Sequence, residues 1–269
     1  WSIAGGNVTN PAVFSYHTHY SVILAITVII LMFKFFYEKD IKFRIFYFIS
    51  FSFVIMNLFI NIGRTGQFSL LITIICLIFF YYRKKIKLLF LFISMIILFT
   101  LSNYFFNKTF QDRINSAKSD LSEAYYKKNY DSSLGGRFGF YFITKEILLE
   151  NSRNLFLGLG SKQHINSIEK IIDDKYPYLT YTKTLKSYHS VYLDILSQFG
   201  IIGLLLFLSI IYKLLTITLK DRKISFIYIS SIFIYCLSIL VDQPIYKDIP
   251  LSVLALIIGT TFAMRKKQV

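Results

Sequence analysis

Three basic side chains in this chain of 269 residues combine ionisable chemistry with a place beside apolar runs. Arg64 sits in Asn61-Ile-Gly-Arg-Thr-Gly66, a short glycine-flanked connection. Its guanidinium fork matches phosphate oxygens bidentately, whereas a turn needs only polarity; the plain alternative is an anchor at a membrane interface. Arg137 follows Gly135-Gly136 and is expected to start an amphipathic helix. A cation at a helix N-terminus opposes the dipole, so the location does not favour a merely solvated role, though a solvated or salt-bridged one stays open. His189 lies in Tyr188-His-Ser-Val-Tyr-Leu-Asp194, at the mouth of an apolar run. A neutral imidazole, with a pKa of about 6.5, suits a general base beside an anion site, and a structural histidine is the alternative. His17, His19 and His164 are rivals. These residue types support phosphate binding by guanidinium groups plus proton abstraction, with no metal and no cofactor. The sequence has no Walker loop, GxGxxG or GxSxG, and no DxD or DxxD pair placed for a divalent cation.

Such residues need elements to hold them, and composition says what kind. The chain is 55% hydrophobic, 18% aromatic and 17% charged, with a mean hydropathy of +0.54. A soluble domain carries about 25% charged residues, so lipid is the main solvent here. Disorder, a collagenous fibre and a disulfide scaffold are excluded. The net charge of +15 would suggest nucleic acid in a soluble protein. Here the basic residues flank apolar runs, so no nucleic-acid partner is expected. Cys76 and Cys236 both lie inside such runs and imply neither a disulfide nor a metal site.

Seven runs approach the roughly 17–25 residues of a membrane-crossing helix. They are Tyr20–Tyr37, Ile41–Ile62, Gln67–Tyr82, Ile86–Phe106, Val191–Leu215, Ile224–Val241 and Pro250–Met264. Lys and Arg alternate between the connections: 14 fall in the first, third and fifth and in the C-terminal tail, against Arg64 and Lys247 in the short connections of the other side. Cytoplasmic loops collect these residues, which predicts the N-terminus outside and the C-terminus in the cytoplasm.

The fold class expected is therefore all-α, a polytopic transmembrane helix bundle. Residues 1–106 hold four spans, 107–187 form a large outer loop, and 188–269 hold three spans. That loop, of 81 residues, is too long for a mere link. Helical stretches are predicted near Ile114–Tyr126 and His164–Ile172. Between them, Phe138, Tyr141, Phe142, Leu148 and Leu149 recur at helical spacing and leave Lys145, Glu146 and Glu150 on another face, with Gly158 and Gly160 ending the helix. No internal repeat is visible, which argues against the repeat-built transporter folds. The polar opening at Trp1 shows no signal-peptide pattern, and the chain is expected to be the C-terminal part of a longer protein.

Order and spacing carry a resemblance. Gly63-Arg-Thr-Gly66 opens an apolar span; a large loop follows with Gly-Arg137 and an amphipathic stretch closing in Leu-Gly-Leu-Gly160; then His189-x-x-x-Leu runs into Gly-Ile-Ile-Gly-Leu-Leu-Leu-Phe207. This set resembles the O-antigen polymerase and O-antigen ligase superfamily, the Wzy-like bacterial membrane glycosyltransferases, whose members have more spans than the seven found here. Two positions depart from that pattern: Ser190 stands where the family often has Asn, and Gln198 where it often has an acid. The resemblance implies inverting glycan transfer from an undecaprenyl-pyrophosphate-linked donor to a glycan acceptor, at the outer face of the bacterial cytoplasmic membrane. His189 would be the base, with Arg64 and Arg137 on the pyrophosphate. The implied function is polymerisation of lipid-linked repeat units of O-antigen, capsule or a related polysaccharide. Ligation of the glycan to lipid A core or protein is the alternative, and a non-enzymatic transporter or flippase of lipid-linked glycans the second. Membrane lipid and a chain-length regulator are further partners such a polymerase takes.

The orientation is testable by replacing Cys76 and Cys236 with serine and introducing single cysteines. Asp120→Cys is expected to react with an impermeant thiol reagent in intact cells, and Lys85→Cys, Asp221→Cys and Lys267→Cys only after permeabilisation; reaction at 85 in intact cells inverts the topology.

Overall fold

The computed structural model describes residues 16–61, 63–106, 108–161, 163–185, 187–217 and 221–266. The polar stretch before Tyr16, Ile62 of the second predicted span, Asn107 and Lys186 of the long connection, and Lys220 and Lys267 of the charge pattern lie outside the described residues. Among those described there is no strand. Four helices come first: α1 (His17–Tyr37), α2 (Ile41–Ile60), α3 (Arg64–Tyr82) and α4 (Ile86–Phe106). The long connection holds α5 (Lys108–Tyr126), α6 (Ser133–Leu149), α7 (Ser152–Leu157), α8 (Gln163–Lys175) and α9 (Thr180–Thr184). Then come α10 (Val191–Leu215), α11 (Arg222–Val241), a 3-10 turn Pro244–Tyr246 and α12 (Asp248–Lys266). All seven predicted apolar runs are thus helices. Five are long and apolar enough to cross a membrane, while α3 and α12 contain shorter apolar stretches, Arg64–Phe80 and Asp248–Ala263. The architecture is an all-α, multi-pass membrane bundle.

The chain divides into two compact units, one of residues 1–77 with 209–269 and one of residues 78–208. In the first, α1 is central and packs on α2, α11 and α12. Val22, Ala25, Ile26, Val28 and Ile29 are buried on it, and Ile232, Ile234 and Ile239 on α11. Phe46, Phe53 and Ile60 of α2 stay exposed, as residues facing lipid do.

The second unit is built around Phe140, Ile143, Ile147, Ile168, Ile172, Leu179, Tyr188 and Leu193. The long connection therefore shares one core with Tyr188 and the start of α10. Which face of α6 enters it differs from the sequence expectation. Gly136, Gly139, Phe140, Ile143 and Ile147 are buried, while Tyr141 and Leu149 of the expected apolar stripe are exposed. Both faces are apolar, and the one with small residues wins because it admits close neighbours. A Cβ on Gly136 would stand 2.6 Å from the Tyr181 ring, and one on Gly139 2.2 Å from Thr182 Oγ1. Glu146 accepts from the Tyr176 hydroxyl at 2.8 Å and pairs with Lys175. Lys175 first, then Tyr176, hold its carboxyl below the usual carboxylate range against burial.

Two further expectations are corrected. The amphipathic helix ends at Leu149, before Asn151 caps α7, and Gly158 terminates α7 instead. The run Val191–Leu215 is not one regular helix: Gly200, at φ +62° and ψ −163°, breaks it. Gly158, at φ +69°, faces that break. A Cβ on Gly158 would lie 2.4 Å from the Gln198 carbonyl carbon, and one on Gly200 2.4 Å from that of Phe156. Across this contact Leu159 N–H donates to Ser197 O at 3.0 Å and Gly160 N–H to Gln198 O at 2.8 Å. Only glycine fits both positions, in backbone conformation and in space.

Gly200→Ala and Gly158→Ala are each expected to lower the melting temperature of the detergent-solubilised protein, because each adds to the folded state the roughly 1–3 kcal/mol of backbone strain and, beyond it, a clash. Gly160→Ala, where no atom lies within 4 Å of a Cβ, carries strain alone and should melt higher than either; equal melting of all three would show that the packed contact contributes nothing.

Candidate functional site

Arg64 is the first residue of α3, not part of a loop. The glycines beside it are explained by packing. A Cβ on Gly63 would lie 2.2 Å from His17 O, and one on Gly66 2.0 Å from Ser21 O, so the first turn of α3 rests on the backbone of α1. Gly66 N–H donates to Ser21 Oγ at 2.9 Å, and Gly63 N–H to Asn61 Oδ1 at 2.8 Å. Gln67 Nε2 donates to the carbonyls of Leu58 and Asn61 at the end of α2. Buried Thr65, Ser69 and Thr73 continue the small face, as close helix packing in lipid requires. Arg64 is exposed, and among the described residues no hydrogen bond or ion pair to it is found. A cation at a helix N-terminus weakens the helix, so packing accounts for the glycines and not for the arginine.

Arg137 and His189 belong together to the second unit. Arg137 is the fifth residue of α6, a turn further in than expected. Ser132 caps the helix, its Oγ accepting from Gly135 N–H at 3.0 Å. The dipole penalty fades within the first turn, so it weighs less on Arg137 than its place in the sequence suggests. The guanidinium is half-buried, and its Nη1 donates to Ser133 Oγ at 3.3 Å, leaving Glu146 to Lys175.

His189 has a left-handed backbone, φ +48°, which among the described non-glycine residues only Lys128 shares. Such a conformation in a residue with a side chain costs about 1–3 kcal/mol and clusters at functional sites. Its neighbours anchor it. Tyr188 is buried with its ring 5.1 Å from that of Phe140 on α6, and Ser190 is buried at the start of α10, where Leu193 N–H points to its Oγ at 3.5 Å. Thr144 and Ser197 join α6 to α10 through a 3.1 Å hydroxyl contact. The helix that carries Arg137 and the one that follows His189 are therefore parts of one packed core, with the imidazole half-buried at its edge.

The O-antigen ligase family model, Wzy_C, matches residues 49–208. This protein belongs to that family. No curated protein matches the chain. The matched segment contains Arg64, Arg137, His189 and both glycines of the contact between α7 and the broken α10. The departures from the family pattern also have structural readings. Ser190 stands at the N-cap of α10, and Ser and Asn are both preferred there. Gln198 Nε2 donates to buried Asp194 Oδ1 at 2.7 Å, so a carboxylate is present one turn earlier.

Among the histidine rivals, His164 lies in the first turn of α8, while His17 and His19 lie in the first turn of α1. His19 reveals a pairing that sequence reasoning missed. Its Nε2 is 3.7 Å from Asp242 Oδ2, with both side chains buried. Asp242 follows the apolar run that ends at Val241. Burial pushes its carboxyl up, and the neighbouring His19 and Thr18 outweigh that push and hold it to about 2. An acid at the end of one apolar run and a histidine at the start of another were the available signals; nothing in the sequence joins them. Among the described residues no three His, Cys, Asp or Glu side chains converge as metal ligands would.

Arg64→Lys and Arg137→Lys keep the charge and lose the planar fork. Each is expected to reduce glycan transfer about 10²-fold at normal expression, the scale of one removed donor to a developing anion. Full activity of both variants in a purified assay removes them from the site.

Proposed function

We propose that this chain polymerises lipid-linked oligosaccharide repeat units, of O-antigen, capsule or a related surface polysaccharide, on undecaprenyl pyrophosphate at the outer face of the bacterial cytoplasmic membrane. The observation that carries the reading is His189, an imidazole fixed by strained backbone in the same packed core as Arg137. In the reaction a hydroxyl oxygen of the acceptor glycan attacks the anomeric carbon of the donor, the bond from that carbon to the pyrophosphate oxygen breaks, and the configuration inverts. His189 takes the hydroxyl proton, and undecaprenyl pyrophosphate leaves with the electron pair. Arg64 and Arg137 bind the leaving group and strengthen their contact as its charge grows, which lowers the barrier without a metal. Both guanidinium groups and the imidazole face the outer side under the charge pattern, with the C-terminus in the cytoplasm. Membrane lipid surrounds the bundle, and a chain-length regulator is the expected protein partner.

The abundance of Phe and Tyr, 28 and 20 residues, leans the reading towards polymerase. The description of the matched family favours a second reading, ligation of the finished glycan to lipid A core or to protein. Lipid-linked glycan transport is the least supported, because charged residues within the spans are almost absent.

Deletion of the gene separates these readings through the lipid-linked glycan that accumulates. Single repeat units are expected; full-length unattached chains make the protein a ligase, and inward-facing units a transporter. In a purified assay His189→Ala is expected to slow transfer by roughly 10²–10⁴-fold with donor binding little changed, since removal of a base acts on the transition state. The wild-type rate should fall as pH drops through the imidazole pKa, a limb absent in the variant. Wild-type turnover in His189→Ala transfers the base role to another histidine.

A further inference from the structure

We propose that the buried His19–Asp242 pair is a positioning device for Arg64, fixing the first turn of α1 on which the first turn of α3 is seated. This rests on the transfer reading above, in which Arg64 binds the leaving pyrophosphate. A buried pair of polar groups is a poor source of net stability, because desolvation offsets most of the attraction. What it supplies is direction: a polar contact of 3.7 Å that apolar neighbours cannot replace. The carboxylate end is fixed by its own backbone, with Asp242 N–H donating to Ser238 O at 3.1 Å and Gln243 N–H to Asp242 Oδ1 at 2.8 Å. From Asp242 the contact passes to His19 at 3.7 Å. Within the same turn, Ser21 Oγ donates to Thr18 O at 2.6 Å and accepts from Gly66 N–H at 2.9 Å. Gly63 meets the backbone of His17, and Gly66 that of Ser21, one on each side of Arg64 along the chain. These contacts are made by backbone and by the short Ser21 side chain, with no long side chain to absorb a shift, so a tilt of the first turn of α1 moves the start of α3 with it. Arg64 stands exposed on that seat. All of these residues belong to the first compact unit.

The test measures release of undecaprenyl pyrophosphate by the purified full chain, from a lipid-linked repeat-unit donor with acceptor present. His19→Ala is expected to lower turnover about 10–100-fold, the scale of a misplacement of about 1 Å. The same substitution in an Arg64→Lys background should cost less than about twofold more, while in an Arg137→Lys background it should keep its full effect. His19→Gln, whose Nε2 can stand in for that of the ring, should stay within about threefold of wild type, and this variant keeps the test open if His19→Ala fails to fold. An equal loss in both arginine backgrounds overturns positioning through Arg64. So does a His19→Gln variant as slow as His19→Ala, which would make the ring a proton-transfer group. If the wild-type chain releases no undecaprenyl pyrophosphate, the transfer reading falls and the pair's role falls with it; turnover with additive losses overturns the pair's role alone.

Discussion

The second unit depends on how a broken helix satisfies its backbone. Gly200 turns α10 out of helical geometry just where the long connection runs into an apolar run, and a backbone carbonyl without a donor near lipid costs several kcal/mol. The carbonyls of Ser197 and Gln198 accept from Leu159 and Gly160, the segment that follows α7. That pairing is possible only because Gly158 and Gly200 bring two backbones to a distance no Cβ allows. One consequence is that α7 cannot slide along α10 without losing both bonds. With the Thr144–Ser197 contact, this fixes the register between the helix that carries Arg137 and the helix led by His189.

A different solution holds Arg64. In lipid there is little hydrophobic drive between helices, so close approach and hydrogen bonds must supply the attraction. The face of α3 with Gly66, Ser69 and Thr73 provides both, since Gly66 N–H reaches Ser21 and Thr73 bonds back to Ser69 O at 2.7 Å. Small residues here set a position, and Arg64 is left on the surface. The two arginines thus differ in how they are held: Arg64 by the seat beneath its helix, Arg137 by a serine of its own helix.

What could be read from the sequence follows from which constraints are local. A bilayer imposes a length on every crossing helix, so all seven apolar runs were legible, and Arg64, Arg137 and His189 stood out because charge beside such runs needs a reason. Gly158 and Gly160 were legible as a helix end, while Gly200 reads as lying inside an unbroken span. The contact between Gly158 and Gly200 was not legible, because their proximity is a property of the fold. The buried face of α6 was misread for a related reason. Aromatic periodicity picks out Phe138 and Tyr141, yet the core took the side of Gly136 and Gly139, where Tyr181 and Thr182 fit. His19 and Asp242 are more than two hundred residues apart, and each alone is an unremarkable polar residue at the end of an apolar run.

The backbone strain at His189 shows why the imidazole stands at that position and not beside it. Tyr188 is committed to the core against Phe140, and Ser190 is committed to the start of α10. The segment between two such anchors has one residue in which to turn from core to helix, and that residue takes the left-handed conformation. A strain of about 1–3 kcal/mol is offset by burial of a tyrosine and by a helix cap, each worth about 0.5–3 kcal/mol. A residue here can neither be buried like Tyr188 nor enter the helix like Val191, so its side chain is left half-exposed. The general-base role proposed for His189 needs that exposure, since the acceptor hydroxyl must reach the imidazole.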